Sequence, residues 1–575
     1  MTAQQRSVVD EIGSVIRKHP GSPAIETVDG VLSYQEFGEQ VDVFVARLES
    51  STVLAEFIGI EATRTSHAIV AMVGALRAGR PFVFLDPRDS AASNRAKVSS
   101  LGVNVIAQAV SRSGPPRLVP TPAEWSDGTE GRPARAPGVL APYRGSVGYA
   151  IHTSGSTGQP KCVLVRALPL ARVIADHVRV LELGPTSRTL QFARLTFDGC
   201  ITEILWTLTS GACLVVVGED RLAPGAVLRG TLEKFRVTHL KTTPFALTAT
   251  EPTSAMNLAH VVNGGGSCRQ AVVRKWSSAA AFHNAYGTTE TTVCNFLSDP
   301  LDPEDCADSV PLGRVVGDCA FDVVPLPDGD EGDPLGPEGT RGELVITGES
   351  VAIGYLTGQD LHRFVDGDAN RVYRTGDIVD HRDGRVYFVE RLDRQLKVRG
   401  YRLDPGEIES AACRLPGVVE AVVTAESHGS STDSGDDALV CYYQGTVTSR
   451  EVRGHLEAVL DPYKVPSILH RVTALPYTRN GKVDRDALRA SRRATPAPTA
   501  SATPEEHVIG LVRQLTGVDD ATLEDNFFAI GGDSASTVAL VSKLRELGWM
   551  DAGVPDVLRA PTVKALVGQL RDRSV

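Results

Sequence analysis

The chain has 575 residues, enough at roughly 150 residues per domain for three or four domains with full cores. Its 70 Asp and Glu outweigh 59 Lys and Arg, a balance that argues against a general nucleic-acid binder, whose affinity comes from basic residues neutralising phosphates. With 42% apolar and 22% charged residues, no run of 18 apolar residues and no N-terminal apolar h-region, the composition is that of a folded globular protein and excludes global disorder, export and a membrane span; a cytoplasmic protein is expected.

Along the chain, strand-like runs such as CLVVV (213–217) and ELVIT (343–347) alternate with helix-like segments, which predicts an α/β body. The first chemical signal is HTSGSTGQPK, residues 152–161. Its small and hydroxyl residues let backbone N–H groups and the hydroxyls of Thr153, Ser154, Ser156 and Thr157 surround phosphate oxygens, with Lys161 adding charge. A nucleoside triphosphate is the natural guest. The spacing is not that of a Walker loop, because Pro160 precedes Lys161 and no Gly-Lys-Ser/Thr ending follows. In FDGCITEI (197–204), Ile201, Ile204, Leu205 and Leu208 mark a helix on which Asp198 and Thr202, four apart, share one side.

RVYFVE, ending at Glu390, alternates as a strand. After RLDR, the run QLKVRGYRL reads as a second strand-like stretch, and Asp404 with Pro405 reads as a helix start. A smaller α+β lobe is expected to follow a boundary near 390–394. Nine cysteines, from Cys162 to Cys441, form no CxxC pair and read as reduced thiols, neither a disulfide framework nor a zinc site. The stretch 491–504, SRRATPAPTASATP, reads as an exposed linker. Beyond it, apolar residues at helical spacing (Val508, Leu511, Val512, Leu515; Val538, Val541, Leu544; Val563, Leu566, Val567, Leu570) predict a short helical bundle. Within that bundle, DNFFAIGGDSASTVAL (525–540) puts Ser534 after a Gly-Gly turn at the start of a helix, where an N-terminus favours a phosphodiester.

HTSGSTGQPK resembles the phosphate loop of the adenylate-forming superfamily, which includes acyl-CoA synthetases, luciferases and the adenylation domains of non-ribosomal peptide synthetases. Further matches follow in the family's order: LSYQEF (32–37), LRAGRPFVFLDP (76–87), FDGCITEI, NAYGTTE (284–290), GELVITG (342–348), YRTGD (373–377), RLDRQLKVRGYRLDPGEIE (391–409) and NGKVD (480–484). The tail resembles a peptidyl carrier protein. The resemblance implies a large adenylate-forming N-terminal lobe over 1–392, a mobile α+β C-terminal lobe over 393–490, a linker over 491–504 and an all-α four-helix-bundle carrier domain over 505–575.

The resemblance also distributes roles. Thr153, Ser154, Gly155, Ser156, Thr157, Gly158 and Lys161 would hold the ATP phosphates, Tyr286, Gly287 and Thr289 would flank the adenine, and Glu290 would hold Mg²⁺. Asp377 and Arg391 would hold the ribose. Lys482 resembles the lysine that neutralises the substrate carboxylate and the α-phosphate as the pentavalent centre forms. Asp393 resembles the hinge about which the small lobe turns between half-reactions, and Ser534 would carry 4′-phosphopantetheine. An Asp at position 198 in amino-acid-activating members pairs with the substrate α-ammonium, so the substrate is expected to be an α-amino acid.

The remaining pocket positions are Gly199, Thr202, Lys241, Val262, Gly264, Ala285, Val293 and Cys294. A buried lysine asks for a paired charge, so Lys241 points to aspartate, with asparagine close behind. Gly199, Ala285 and Cys294 depart from the aspartate pattern and leave room for a substituted aspartate. Cys162, His152, Thr288 and Ala535 also depart from common residues of the family without removing an acid, base or phosphate ligand.

The expected whole is a free-standing didomain that makes an aminoacyl-adenylate and loads it onto its own carrier. No HHxxxDG or GxSxG string for condensation or release is present. The expected partners are a phosphopantetheinyl transferase, downstream tailoring or condensation enzymes and an MbtH-like chaperone, with no nucleic acid and no membrane. Two other readings stay open: an acyl-CoA synthetase, against which the joined carrier and Asp198 speak, and an inactive relative that only scaffolds a carrier.

Overall fold

The computed structural model describes residues 7–51, 56–109, 114–125, 138–143, 145–153, 161–306, 309–326, 339–358, 360–366, 370–392, 396–398, 401–427, 437–476, 483–493, 504–518, 520–532, 534–560 and 562–572. They fall into two compact units, one reaching Leu392 and the other starting at Leu396.

In the first unit, short runs of apolar residues such as Phe82–Leu85 are buried throughout, the signature of strands covered on both faces. Such strands build two large sheets. A nine-stranded sheet has a parallel centre, in which Arg188–Leu190, His239–Thr242, His260–Asn263 and Ala281–Tyr286 lie side by side. An eight-stranded sheet holds Val147–Thr153 and Lys161–Arg166 as an antiparallel pair. Helices Ser66–Arg77 and Gly199–Ser210 are apolar nearly all round, and each buries nine residues. Such helices belong inside a core. Here they join strands of both large sheets in one cluster that includes Ile60, Met72, Tyr149, Ile204 and Leu214. A third, five-stranded antiparallel sheet contains Asn370–Arg382 paired with Arg385–Arg391.

The second unit begins with a correction. QLKVRGYRL is not one strand but two three-residue strands, Leu396–Val398 and Tyr401–Leu403, paired antiparallel. Alternation is equally compatible with a strand and with a hairpin, and the pattern alone does not mark the reversal. Asp404 caps helix Pro405–Cys413 by accepting from the Gly406 N–H at 2.8 Å. This helix packs with a three-stranded sheet, Val418–Ser427, Asp437–Gly445 and Ile468–Val472. Among the described residues from 504 onward there are four helices, Pro504–Thr516, Ser534–Glu546, Val554–Arg559 and Val563–Asp572. Their core is built from Val508, Val512, Leu540, Leu544, Leu566 and Leu570. An α/β body, a smaller α+β lobe and a C-terminal helical bundle, the expected fold class, are therefore the observed architecture. Among the described residues, no helix is long and apolar enough to cross a membrane.

Three neighbouring strands carry a stack of imidazoles, His239 and His260 at the strand starts and His283 two residues into its strand. The His239 and His260 rings lie 4.9 Å apart, and those of His260 and His283 lie 5.3 Å apart. His260 Nδ1 and His283 Nε2 share a 3.0 Å hydrogen bond, His239 Nε2 bonds the Leu181 carbonyl at 2.8 Å and His283 Nδ1 bonds that of Ser298 at 2.9 Å. Burial pushes His239 and His283 down to about 4 and lowers His260. The unfolded chain thus binds protons that the folded chain refuses between about pH 6.5 and 4, and stability falls with pH by up to about 1.4 kcal/mol per unit for each such ring. His239→Gln retains a donor for Leu181 and is expected to flatten the fall of Tm over that window relative to wild type; parallel Tm curves would refute the assignment.

Candidate active site

The opposite, C-terminal ends of the same parallel strands carry the residues singled out for chemistry, the place where open α/β sheets bind ligands. Strand His239–Thr242 presents Lys241 in register with Val262 of the next strand, and strand Ala281–Tyr286 ends with Ala285 and Tyr286. Helix Gly199–Ser210 brings Thr202 to Lys241, whose Nζ donates to Thr202 Oγ1 at 2.6 Å and stands 5.7 Å from the Trp206 ring centroid. Gly264 leaves room for this lysine, since a Cβ there would lie 3.3 Å from Lys241 Cε. Val262, Ala285 and Cys294 are buried in one cluster against which Val293 packs. Lys241 itself is only partly buried, not enclosed as its type and position suggested. A long stem reaches outward from a strand end, and its partner is a hydroxyl rather than a carboxylate.

Asp198 stands immediately before the helix, with helical backbone angles and no capping bond. Its Oδ2 is buried without a hydrogen-bond partner in the protein. Burial raises its carboxyl above the ordinary aspartate range, opposed by the Thr289 hydroxyl and the charge of Lys241. An unmatched buried acceptor of this kind is suited to a cation from outside. Gly199 follows, and a Cβ at that position would sit 3.4 Å from Ala193 Cβ.

Tyr286 and Asp377 come together from different sheets. The Tyr286 hydroxyl donates to Asp377 Oδ2 at 2.5 Å, and Arg391, paired with Asp377 across two antiparallel strands, donates to Oδ1 at 2.6 Å. Asp377 is fully buried. Each of its oxygens keeps a second lone pair, so a ribose diol remains a fitting donor. The Tyr286 ring packs edge-on against Phe296, with centroids 6.0 Å apart.

Glu290 lies in a short 3-10 turn, Thr289–Thr291, and is fully buried, with one oxygen accepting from the Tyr355 hydroxyl. Lys161 Nζ stands 5.2 Å from the centroid of that same Tyr355 ring. Thus Lys161, Tyr355 and Glu290 form one corner. Among the described residues no three His, Cys, Asp or Glu side chains cluster as a metal cage. A lone hard carboxylate fits Mg²⁺, which takes one or two carboxylates and completes its shell with phosphates and water. Gly287 is required by the fold here: a Cβ would meet Val293 O at 2.4 Å.

Thr153 and Lys161 are paired at the ends of their strands. The loop positions between them, Ser154, Gly155, Ser156, Thr157 and Gly158, lie outside the described residues, as do Asp393 and Lys482. Ser534 opens its helix, and its side chain is outside the described set.

Three site residues escaped the sequence reading. Tyr355 is 65 positions from Glu290, and no spacing rule links them. Glu203, 1% exposed within FDGCITEI, accepts the Phe192 N–H at 3.0 Å and the Ala193 N–H at 3.1 Å. Arg64 binds the carbonyls of Gln191 and Phe192 at 2.9 and 2.6 Å. An acid at a would-be core position of an apolar helix was the available signal for Glu203.

Three family models match the chain: "AMP-binding enzyme" over residues 14–356, "AMP-binding enzyme C-terminal domain" over 407–482 and "Phosphopantetheine attachment site" over 506–570. The chain is 32% identical to Novobiocin biosynthesis protein H of Streptomyces niveus, covering 96% of this chain and 94% of that one. It is 31% identical to the phosphinothricin tripeptide synthetase PhsC of Streptomyces viridochromogenes, with 96% of this chain spanning 52% of that one. Against Bacitracin synthase 3 of Bacillus licheniformis it is 30% identical and spans 9% of that protein's length. In fold it is similar to holo-PA1221, an NRPS protein containing adenylation and PCP domains, with a TM-score of 0.77, 22% identity and coverage of 99% and 97% of the two chains.

Proposed function

The chain belongs to the AMP-binding enzyme family, as a non-ribosomal peptide synthetase adenylation domain joined to a carrier domain, and we propose that the substrate it activates is aspartate or a substituted aspartate. The coarser activity follows from the family: an amino-acid adenylating ligase that uses ATP with Mg²⁺ and forms a thioester on the carrier's 4′-phosphopantetheine, in peptide natural-product biosynthesis. A phosphopantetheinyl transferase must prime the carrier, and condensation enzymes take up the product.

One observation carries the substrate reading. Asp198 and the Lys241–Thr202 pair are one helical turn apart, about 5.4 Å along the axis, and present opposite charges to one pocket. An amino acid whose ammonium meets Asp198 and whose side-chain carboxylate meets Lys241 bridges them. The partial exposure of Lys241 favours a second reading, asparagine, because a solvated ammonium tolerates a carbonyl oxygen.

In the adenylation step, the substrate carboxylate attacks the α-phosphorus and pyrophosphate leaves. In this proposal Asp198 holds the ammonium, Asp377 and Arg391 orient the ribose, and Lys161 with the loop before it neutralises phosphate. Glu290 would hold Mg²⁺, which would supply charge neutralisation at the phosphates. Lys482 joins the reacting carboxylate and phosphate, and Asp393 is the pivot that lets the carrier approach. An MbtH-like protein remains a proposed partner. Pyrophosphate exchange over the twenty common amino acids and substituted aspartates tests the substrate. Lys241→Ala is expected to cut exchange with aspartate by about tenfold to a hundredfold, the range for an unpaired, partly desolvated carboxylate, and to spare neutral amino acids. Unaltered selectivity would remove the aspartate assignment.

A further inference from the structure

We propose that Glu203 is a positioning residue for the amino-acid pocket: its carboxylate ties down the strap Gln191–Arg194, and the strap fixes the pocket floor between Ala193 and Gly199. The inference rests on the amino-acid-activating reading and concerns a residue that touches neither substrate nor nucleotide.

The strap has no regular secondary structure of its own beyond Gln191, whose N–H bonds the Val215 carbonyl at 2.9 Å. Buried at Gln191 and half-buried from Phe192 to Arg194, the strap must satisfy its backbone groups some other way. Side chains do so from both edges. Glu203 takes the N–H groups of Phe192 and Ala193, and Gln191 Nε2 reaches the same carboxylate at 3.2 Å and the Ala193 carbonyl at 2.5 Å. From the other edge Arg64 fills the carbonyls of Gln191 and Phe192. Arg194 anchors the far end by donating to Asp86 at 2.6 Å, and its carbonyl receives the Phe197 N–H at 3.0 Å, next to Asp198.

Removing the carboxylate therefore leaves two half-buried N–H groups without their acceptor, and the strap relieves them by shifting toward water. That displacement shifts Ala193, the residue nearest the missing side chain of Gly199. The bonds just named end on Asp86 and on the strap itself, not on Lys161, Glu290 or Asp377, so the effect should separate by substrate.

The test uses the full-length protein in pyrophosphate exchange with L-aspartate, or with whichever of the twenty amino acids the wild type turns over fastest. Glu203→Ala is expected to raise the amino-acid KM about tenfold, the scale of losing such bonds, with the ATP KM within about twofold. Glu203→Gln, which keeps one acceptor, should fall between. Ala193→Gly, which leaves every tie intact, should raise the amino-acid KM a few-fold and relax selectivity among neighbouring side chains; it decides the matter if Glu203→Ala does not fold. Equal rises in both KM values, an unchanged amino-acid KM in folded Glu203→Ala, or an unaltered Ala193→Gly profile would overturn the proposal. A wild type without amino-acid-dependent exchange would instead sink the activation reading itself.

Discussion

Alanine in place of Ser534 is expected to abolish covalent loading of radiolabelled amino acid while leaving pyrophosphate exchange within about twofold of wild type. The serine begins helix Ser534–Glu546, after Gly531, whose φ of 104° is open to glycine and to few others. A phosphodiester at a helix N-terminus meets the unpaired backbone N–H groups and the positive end of the dipole. The bundle core lies elsewhere, in residues such as Leu540, Leu544 and Leu566, so losing one hydroxyl should leave the carrier folded. In the proposed assignment adenylation uses residues of the first unit and Lys482, none of which depends on the attached arm. Label surviving on the Ser534→Ala protein would place the attachment at another residue and undo the self-loading scheme.

Asp198→Asn is the second large effect, and it has two faces of opposite sign. The amide keeps the volume and loses the charge proposed to face the α-ammonium. Breaking a desolvated ion pair from one side costs about 3–5 kcal/mol, or about two to nearly four powers of ten in amino-acid-dependent exchange. Stability should move the other way. Burial raises the Asp198 carboxyl, so between its ordinary and its raised value the folded chain binds more protons than the unfolded one, and stability declines as pH rises through that window. Above it the full penalty for the buried charge is present, and asparagine relieves it, so Tm at neutral pH should rise. A lowered Tm with intact secondary structure, or exchange that survives, would contradict the role assigned to this carboxylate.

The resemblance, not periodicity, brought Asp377 in YRTGD and Arg391 in RLDR together. The structure sets them opposite each other across two antiparallel strands, with an ion pair between them. Contacts between sheets were not legible. Tyr355 reaches Glu290, and Arg64 reaches Gln191, across gaps of 65 and 127 residues that no periodicity bridges. Lys241 shows a different limit: its strand position was readable, but how far its stem extends toward water depends on Gly264 and Thr202 around it. In QLKVRGYRL a chain reversal lay hidden inside an unbroken alternation.

Thr292 and Val293 carry φ values of 63° and 69°, a left-handed pair of β-branched residues beside the pocket, and the Val293 carbonyl faces the bare Cα of Gly287. Such residues are strained by about 1–3 kcal/mol each. Redesign of substrate range by exchanging the side chain at 293 is therefore a main-chain problem first. Glycine or asparagine would relax the turn together with the wall it supports, whereas another branched residue would preserve the wall's outline. Directed variation of this enzyme should begin at positions with ordinary backbone, such as Val262 and Ala285, and reach 293 last.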